Sequence, residues 1–233
     1  MKSKILKEYK YKTELHSHTL PISLCSEVYA EKLVEIYKER GADSIVLTNH
    51  FTWEFVSRYS KDEAVKKYIE SFHDLKKCAE KNGISAILGM ELRFTENIND
   101  YLVYGIEEDD IATICDFIPK GIDCFYREFK NEKNLIYQAH PFRDNMVRVH
   151  PESIDGIEVF NMHPKTNSRV ALAAAYAKEH SLPISGGTDF HIIGHQGCCF
   201  IRTKTKLETS YDVAEALKKQ EFVLDVFGNI ILP

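Results

Sequence analysis

Apolar residues recur along this chain in two periods. Short alternating or wholly apolar runs at 11–15, 44–48, 85–90, 101–104, 135–139, 156–160 and 182–185 predict strands, with further extended segments at 197–203 and 222–227. Longer stretches between them carry apolar positions three and four apart. In 29–40 these are Leu33, Val34, Ile36 and Tyr37; in 62–82 they are Ala64, Val65, Tyr68, Ile69, Phe72, Leu75 and Ala79. Both predict helices, and Gly41 and Gly83 come where a helix end needs a left-handed residue. Glu107 to Asp110 puts acid at the start of another helix, where the dipole favours it, and 165–180 and 210–220 read as two more. Strand and helix alternate, so the pattern predicts an α/β fold with a mainly parallel sheet, which at this strand number can close into a barrel.

Candidate chemistry sits just beyond the apolar runs. His16 and His18 come after the first, His50 after the second, Glu91 after the third, His140 after the run at 135–139, and Asp189 and His191 after Gly186-Gly187. Residues at alternate positions of a strand project to one side, so His-x-His and Asp-x-His can each turn two donors towards one point. In a parallel β/α barrel the carboxyl ends of the strands share one face. Seven nitrogen and oxygen donors are too many for one zinc, which takes four ligands, or three and a water when catalytic. Two ions bridged by a carboxylate such as Glu91 use them well, with a third left open. Imidazole with carboxylate suits zinc, manganese or iron rather than calcium.

Composition narrows the class. The chain has 233 residues, 44% apolar and 28% charged, with a net charge of −5 and no basic stripe, which argues against a nucleic-acid partner. The length suits one domain over 1–233. The apolar runs are all far shorter than the roughly 20 residues that cross a bilayer, and the first residues lack the apolar stretch of a signal peptide. The six cysteines, Cys198 and Cys199 adjacent, match no disulfide or zinc spacing. The expectation is a cytoplasmic protein with no membrane partner.

The ordered segments Glu14-Leu-His16-Ser-His18, Leu47-Thr-Asn-His50, Gly89-Met-Glu91, Ala139-His140-Pro141 and Gly187-Thr-Asp189-Phe-His191 resemble the PHP (polymerase and histidinol phosphatase) family from about residue 11 to 205. The resemblance implies a distorted (β/α)7 barrel, two or three divalent ions and hydrolysis of a small-molecule phosphoester. Three positions depart from it. The family's acid or histidine shortly after His18 is replaced by a stretch holding Cys25 and Glu27. Asn49 stands where an Asp is usual, and no histidine lies between Glu91 and His140. These gaps favour two ions over three.

Arg93 and Arg143 come after ligand positions on the side where a planar guanidinium could hold phosphate, and His195, like His163, is placed to touch substrate or donate a proton. Phe51, Trp53, Phe55 and Tyr59 are expected either to wall the site or to fill core. Two other readings fit parts of the pattern: a catalytically reduced PHP-like metal-binding or regulatory domain, and an amidohydrolase-type C–N hydrolase, whose barrel also opens with His-x-His.

Overall fold

The periodicities form the elements they predict. The structure, a computed structural model, describes residues 2–233. Strand β1 is Tyr11–Ser17, and the helix after it, α2 (Ala30–Glu39), buries Leu33, Val34, Ile36 and Tyr37. A short helix, α1 (Lys2–Glu8), precedes β1, where the sequence pattern suggests none. The second apolar run splits into β2 (Ser44–Leu47) and β3 (His50–Phe51), succeeded by one turn of helix, α3 (Trp53–Val56). Helix α4 (Lys61–Glu80) starts at a capping box in which Ser60 and Glu63 satisfy each other's backbone N–H. The third run divides at Gly89 into β4 (Ser85–Leu88) and β5 (Met90–Arg93).

Next come β6 (Asp100–Tyr104), α5 (Asp110–Cys115), the unforeseen α6 (Ile122–Phe129), β7 (Leu135–Gln138) and β8 (Gly156–Asn161). Helix α7 (Val170–Glu179) begins later than the Ala-rich pattern suggests, because Arg169 turns left-handed at φ 48 and ends the preceding loop. The chain closes with β9 (Ile184–Gly187), β10 (Cys199–Thr203), α8 (Ser210–Lys219), β11 (Val223–Val226) and β12 (Asn229–Ile231).

The strands form two six-stranded sheets, ordered β12-β11-β10-β1-β2-β4 and β3-β5-β6-β7-β8-β9. The sheets are more mixed than the alternation predicts. β1–β2–β4, β3–β5 and β7–β8–β9 pair in parallel, whereas β5–β6–β7 and β1–β10–β11–β12 are antiparallel. The chain from Arg93 to Asp100 is too short to hold a crossover helix, so β6 must return beside β5.

Alternation along the strands separates two apolar layers. Val46, Leu102 and Tyr104 join a cluster with Leu15, Tyr137 and Leu217 of α8, while Ile45, Leu47, Tyr101 and Val103 pack with the helices. Tyr104 Oη donates to the Leu15 carbonyl at 3.1 Å, tying β6 to β1. At one seam between the sheets, Ser17 bridges Phe190, and His18 N donates to Phe190 O. At the other, Glu91 N donates to Asn49 O. Both seams carry proposed ligands. None of the helices among the described residues is long and apolar enough to cross a membrane.

Glycine governs how closely β9 approaches β1. A Cβ at Gly187 would lie 2.5 Å from His16 Cβ and 3.1 Å from Glu158 Oε1. Gly187→Ala is therefore expected to destabilise the fold by about 1–3 kcal/mol, read as a thermal midpoint lower by about 2–4 °C per kcal/mol. An unchanged midpoint would show that the strands can separate without cost.

Candidate metal centre

Local chain geometry delivers each donor. β1 runs into His18, and the His16 and His18 rings stand 5.1 Å apart. β3 opens with His50, and β5 carries Glu91 directly opposite it in parallel register. His140 and Asp189 come after β7 and β9 with left-handed backbones, φ 31 and 55. A non-glycine residue held there costs on the order of 1–3 kcal/mol, and such strain collects at functional sites.

All seven proposed ligands converge. Donor atoms within 4.8 Å of one another form the groups His16–His18–Glu91, His16–His140–Asp189 and His18–His50–His191. A fourth group, His50–Glu91–Asp100, adds a residue that the sequence pattern did not single out. Its signal was a lone carboxylate opening the apolar run Tyr101-Leu-Val-Tyr, between Glu91 and His140, where only a histidine was sought.

Hydrogen bonds set which ring nitrogen faces inward. His16 Nδ1 donates to Glu158 Oε1 at 2.9 Å, leaving Nε2 3.2 Å from Glu91 Oε1 and 3.4 Å from Asp189 Oδ1. His18 Nδ1 donates to Ser23 Oγ at 3.1 Å, and that hydroxyl donates to Asn49 Oδ1 at 2.9 Å. His191 Nδ1 donates to the Asp189 carbonyl at 3.0 Å. Orienting a ligating imidazole through its far nitrogen is the usual support of a metal site. Asn49 thus acts through its amide: it also accepts from Thr19 N at 2.7 Å, so it organises the His18 loop without adding charge.

The inward atoms fit divalent cations. His16 Nε2, His18 Nε2, His50 Nδ1 and Glu91 Oε2 are all buried without a hydrogen-bond partner, and His140 turns its Nε2 to Glu91 Oε1 at 3.0 Å. His50 Nδ1 lies 2.8 Å from Glu91 Oε2 yet is misaligned for a hydrogen bond, as expected of two donors converging on a common point. The charge balance agrees. Glu91, Asp100, Glu158 and Asp189 are buried carboxylates, faced by the guanidinium groups of Arg93 and Arg143.

The buried carboxylates act on the rings around them. Burial opposes charge on His16, but Glu158, Asp189 and Glu91 outweigh it and hold the ring well above the ordinary histidine range. Glu91 does the same to His50 against its burial. His18 is pushed well below that range by burial and by the neighbouring His191 and His50. Cations bound here would replace those protons.

Beyond the ligands, Glu158 is a second omission. It takes His16 Nδ1 on one oxygen and His140 N on the other at 3.1 Å, and Asn161 Nδ2 donates to it at 2.9 Å. A carboxylate inside the apolar strand Gly156-Ile-Glu158-Val-Phe was the sign available. Glu14 is buried too. Burial raises its carboxyl to about 7 despite hydrogen bonds from Thr188, Tyr37 and His16, and those bonds lock β1 to the turn carrying Asp189.

The remaining candidates spread around the rim. Arg143 donates to Asp189 Oδ2 at 2.5 Å and to Asn161 Oδ1 at 3.1 Å, and its Nε is buried and unpartnered. Arg93 grips Asp100 through two bonds of 2.8 Å. His195 stands farther out: its ring is 5.4 Å from His163, which is 5.5 Å from His191. Cys25 is exposed and shares a wall with His50; burial of its sulfur is outweighed by the nearby His191 and His50, which bring the thiol down to about 6. Glu27 has an exposed side chain and reaches the site through its backbone N–H, which donates to the His191 carbonyl at 2.8 Å. Of the aromatics after His50, Phe51 and Phe55 fill core, while Trp53 and Tyr59 are exposed.

The chain belongs to the PHP domain family, whose profile matches residues 14–231. Among solved structures it is similar to a two-domain protein from Bacteroides vulgatus described as containing a predicted PHP-like metal-dependent phosphoesterase. The TM-score is 0.63 at 20% identity, over 92% of this chain and 64% of that one. The chain thus spans a little under two-thirds of that protein's length. It is also similar to PsfC from Pseudomonas syringae, with TM-score 0.63 and 14% identity over 88% and 87% of the two chains. At these identities the likeness establishes the shared mixed α/β fold. No curated protein matches the chain in sequence.

The support given by Glu158 is measurable. Glu158→Gln keeps the shape and removes the charge behind His16 and His140, and should weaken metal affinity by about 10–100-fold in a chelator-competition titration. Affinity equal to that of the unsubstituted protein would show that Glu158 serves packing alone.

Proposed function

We propose that this chain is a metal-dependent phosphoesterase that cleaves a small phosphate ester with water. The carrying observation is the convergence of unpartnered buried donors from His16, His18, His50 and Glu91 beside His140 and Asp189, with Arg143 at their edge holding an unspent buried N–H. Family membership and the Bacteroides relative's description support the same reading. Divalent ions held by the seven ligands, two of them or three and drawn from zinc, manganese and iron, would neutralise phosphate charge and acidify water.

The chain's own groups do the rest. Arg143 is fixed by Asp189 and Asn161 with Nε free to hold a phosphoryl oxygen, and a guanidinium does this as a planar fork. Arg93 and Arg58 flank a cleft of about 270 Å³ that opens beside His50, with Leu24 and Phe55 on its apolar side. That combination suits a leaving group with both an apolar and an anionic part. Burial, Lys165 and His191 depress His195, so its ring is neutral near pH 7 and accepts or donates a hydrogen bond to substrate rather than delivering a proton from the charged form. The reading takes residues 1–233 as one domain. It takes β1, β2–β3, β4–β5, β6, β7, β8 and β9 as the seven staves of a distorted (β/α)7 barrel, supported by the bridge between Ser17 and Phe190.

The test is a screen of purified protein, loaded in turn with zinc, manganese and iron, on p-nitrophenyl phosphate, bis-p-nitrophenyl phosphate and a nucleotide panel. Turnover of at least one phosphoester, abolished by chelation, is expected. Silence on all of them overturns the proposal. On the best substrate, Arg143→Ala should lower kcat/KM by about 10–100-fold, the loss expected for one charge-assisted hydrogen bond. Unchanged kinetics would remove Arg143 from the phosphate site.

A further inference from the structure

A second cavity, of about 670 Å³, lies between α1, the C-terminal end of α2 and the edge formed by β10, β11 and β12, and none of the seven proposed metal ligands lines it. Register builds its floor. Lys12 of β1 stands directly opposite Arg202 of β10, and Phe200 opposite Asp225 of β11. Residues two apart on a strand share a face, and all four of these side chains line the cavity. Like charges directly opposite one another destabilise a sheet. The pair is only partly answered: Arg202 spends Nε on Asp225 Oδ2 at 2.7 Å, while Lys12 Nζ donates to the Arg40 carbonyl at 3.1 Å and lies 5.1 Å from the Phe200 ring centroid. Burial, and then Arg202, hold the Lys12 ammonium below the usual lysine range despite Asp225 and Asp43. Around the cavity the four cations Lys2, Lys12, Arg40 and Arg202 face the two acids Glu39 and Asp225, an excess of two positive charges in a chain of net charge −5. Among the described residues no carboxylate pairs with Arg40, and neither terminal nitrogen of Arg202 has a hydrogen-bond partner.

We propose that this cavity binds a free, small organic phosphate, a dianionic head joined to an apolar body, at a site separate from the metal centre. The unspent ends of two guanidinium groups can grip a phosphate as planar forks, with the Lys12 ammonium as a further charge. Leu6 and Ile230 supply apolar surface, and Phe227 offers its ring although 62% of that residue is exposed. The volume falls within the range of about 300–1,000 Å³ common to small-molecule sites. The far wall is the stretch from Gly194 to Cys198, which begins three residues after His191. It closes tightly at Gly197, where a Cβ would lie 3.2 Å from Arg40 Cγ and 3.3 Å from the Phe200 ring. Binding here draws on no chemistry of the metal centre, so the site stands whether or not the chain cleaves an ester.

The experiment is a calorimetric titration of the purified chain with phenylphosphonate, a dianion above neutral pH whose carbon–phosphorus bond ester hydrolysis does not touch, and with inorganic phosphate. Arg40→Glu reverses an unpaired charge in the cavity and alters nothing at the metal centre. It should weaken one phenylphosphonate site per chain by about 10–100-fold, the loss expected for a charge-assisted hydrogen bond. Glu39→Lys adds charge to the same cavity and should tighten that site by about 2–5-fold. Phenylphosphonate should bind there more tightly than inorganic phosphate. Equal stoichiometry and affinity in the three proteins, or phosphate binding as tightly as phenylphosphonate, overturns the proposal. If Arg40→Glu does not fold, Glu39→Lys decides alone, and an unchanged affinity overturns it. Vesicles containing phosphatidic acid distinguish a lipid headgroup from a free ligand: sedimentation of the chain with them, abolished in Arg40→Glu, overturns the free ligand.

Discussion

A carboxylate taken out of water must be neutralised, and the strand ends of this protein bury more carboxylates than their arginines can answer. Glu91, Asp100, Glu158 and Asp189 lie together at almost no exposure, with Arg93 spent on Asp100 and Arg143 on Asp189. Desolvation of an unpaired charge costs several kcal/mol, so the remaining imbalance must be met by cations. The same carboxylates push His16 and His50 well above the ordinary histidine range against the rings' own burial. Divalent ions meet the imbalance better, because one charge centre can serve several donors at once.

The rest of the fold positions that imbalance and keeps it rigid. Gly187 lets β9 run against His16, Glu14 ties β1 to the Thr188 turn, and Glu158 holds His16 and His140 from behind. Left-handed backbone at His140 and Asp189 is held by what pairs beside it: β7 lies between antiparallel β6 and parallel β8, and β9 runs beside parallel β8 with Phe190 bridging Ser17. The proposed phosphoester cleavage would need little machinery beyond this arrangement. A phosphoryl group would bring negative charge to a place that gathers positive charge, with the Arg143 Nε–H beside it unpartnered.

The departures from the family pattern prove local rather than global. Asn49 keeps a hydrogen-bonding place without a charge, joining Thr19 and Ser23 so that His18 presents the correct nitrogen. Asp100 puts an oxygen donor between Glu91 and His140 where a histidine was sought, and it needs Arg93 to hold it. Cys25 puts a thiol where an acid or imidazole is usual. Each exchange alters the charge or softness of one corner and leaves the framework of β1, β5, β7 and β9 in place.

Local chemistry is enough to read much of this from the sequence. Helices α2 and α4 and the strands carrying His16, Glu91, His140 and Asp189 are legible from periodicity, because each buries one face or lies wholly inside. Ligand types at strand ends disclose the cluster, since parallel strands present their carboxyl ends together. Tertiary structure alone decided that β6 turns back antiparallel, that Glu158 and Asp100 join the site, and that Cys25 shares a wall with His50 while the Glu27 side chain is exposed. Those outcomes depend on contacts between segments far apart in the chain, and a carboxylate or thiol in sequence carries no mark of which distant ring it will face.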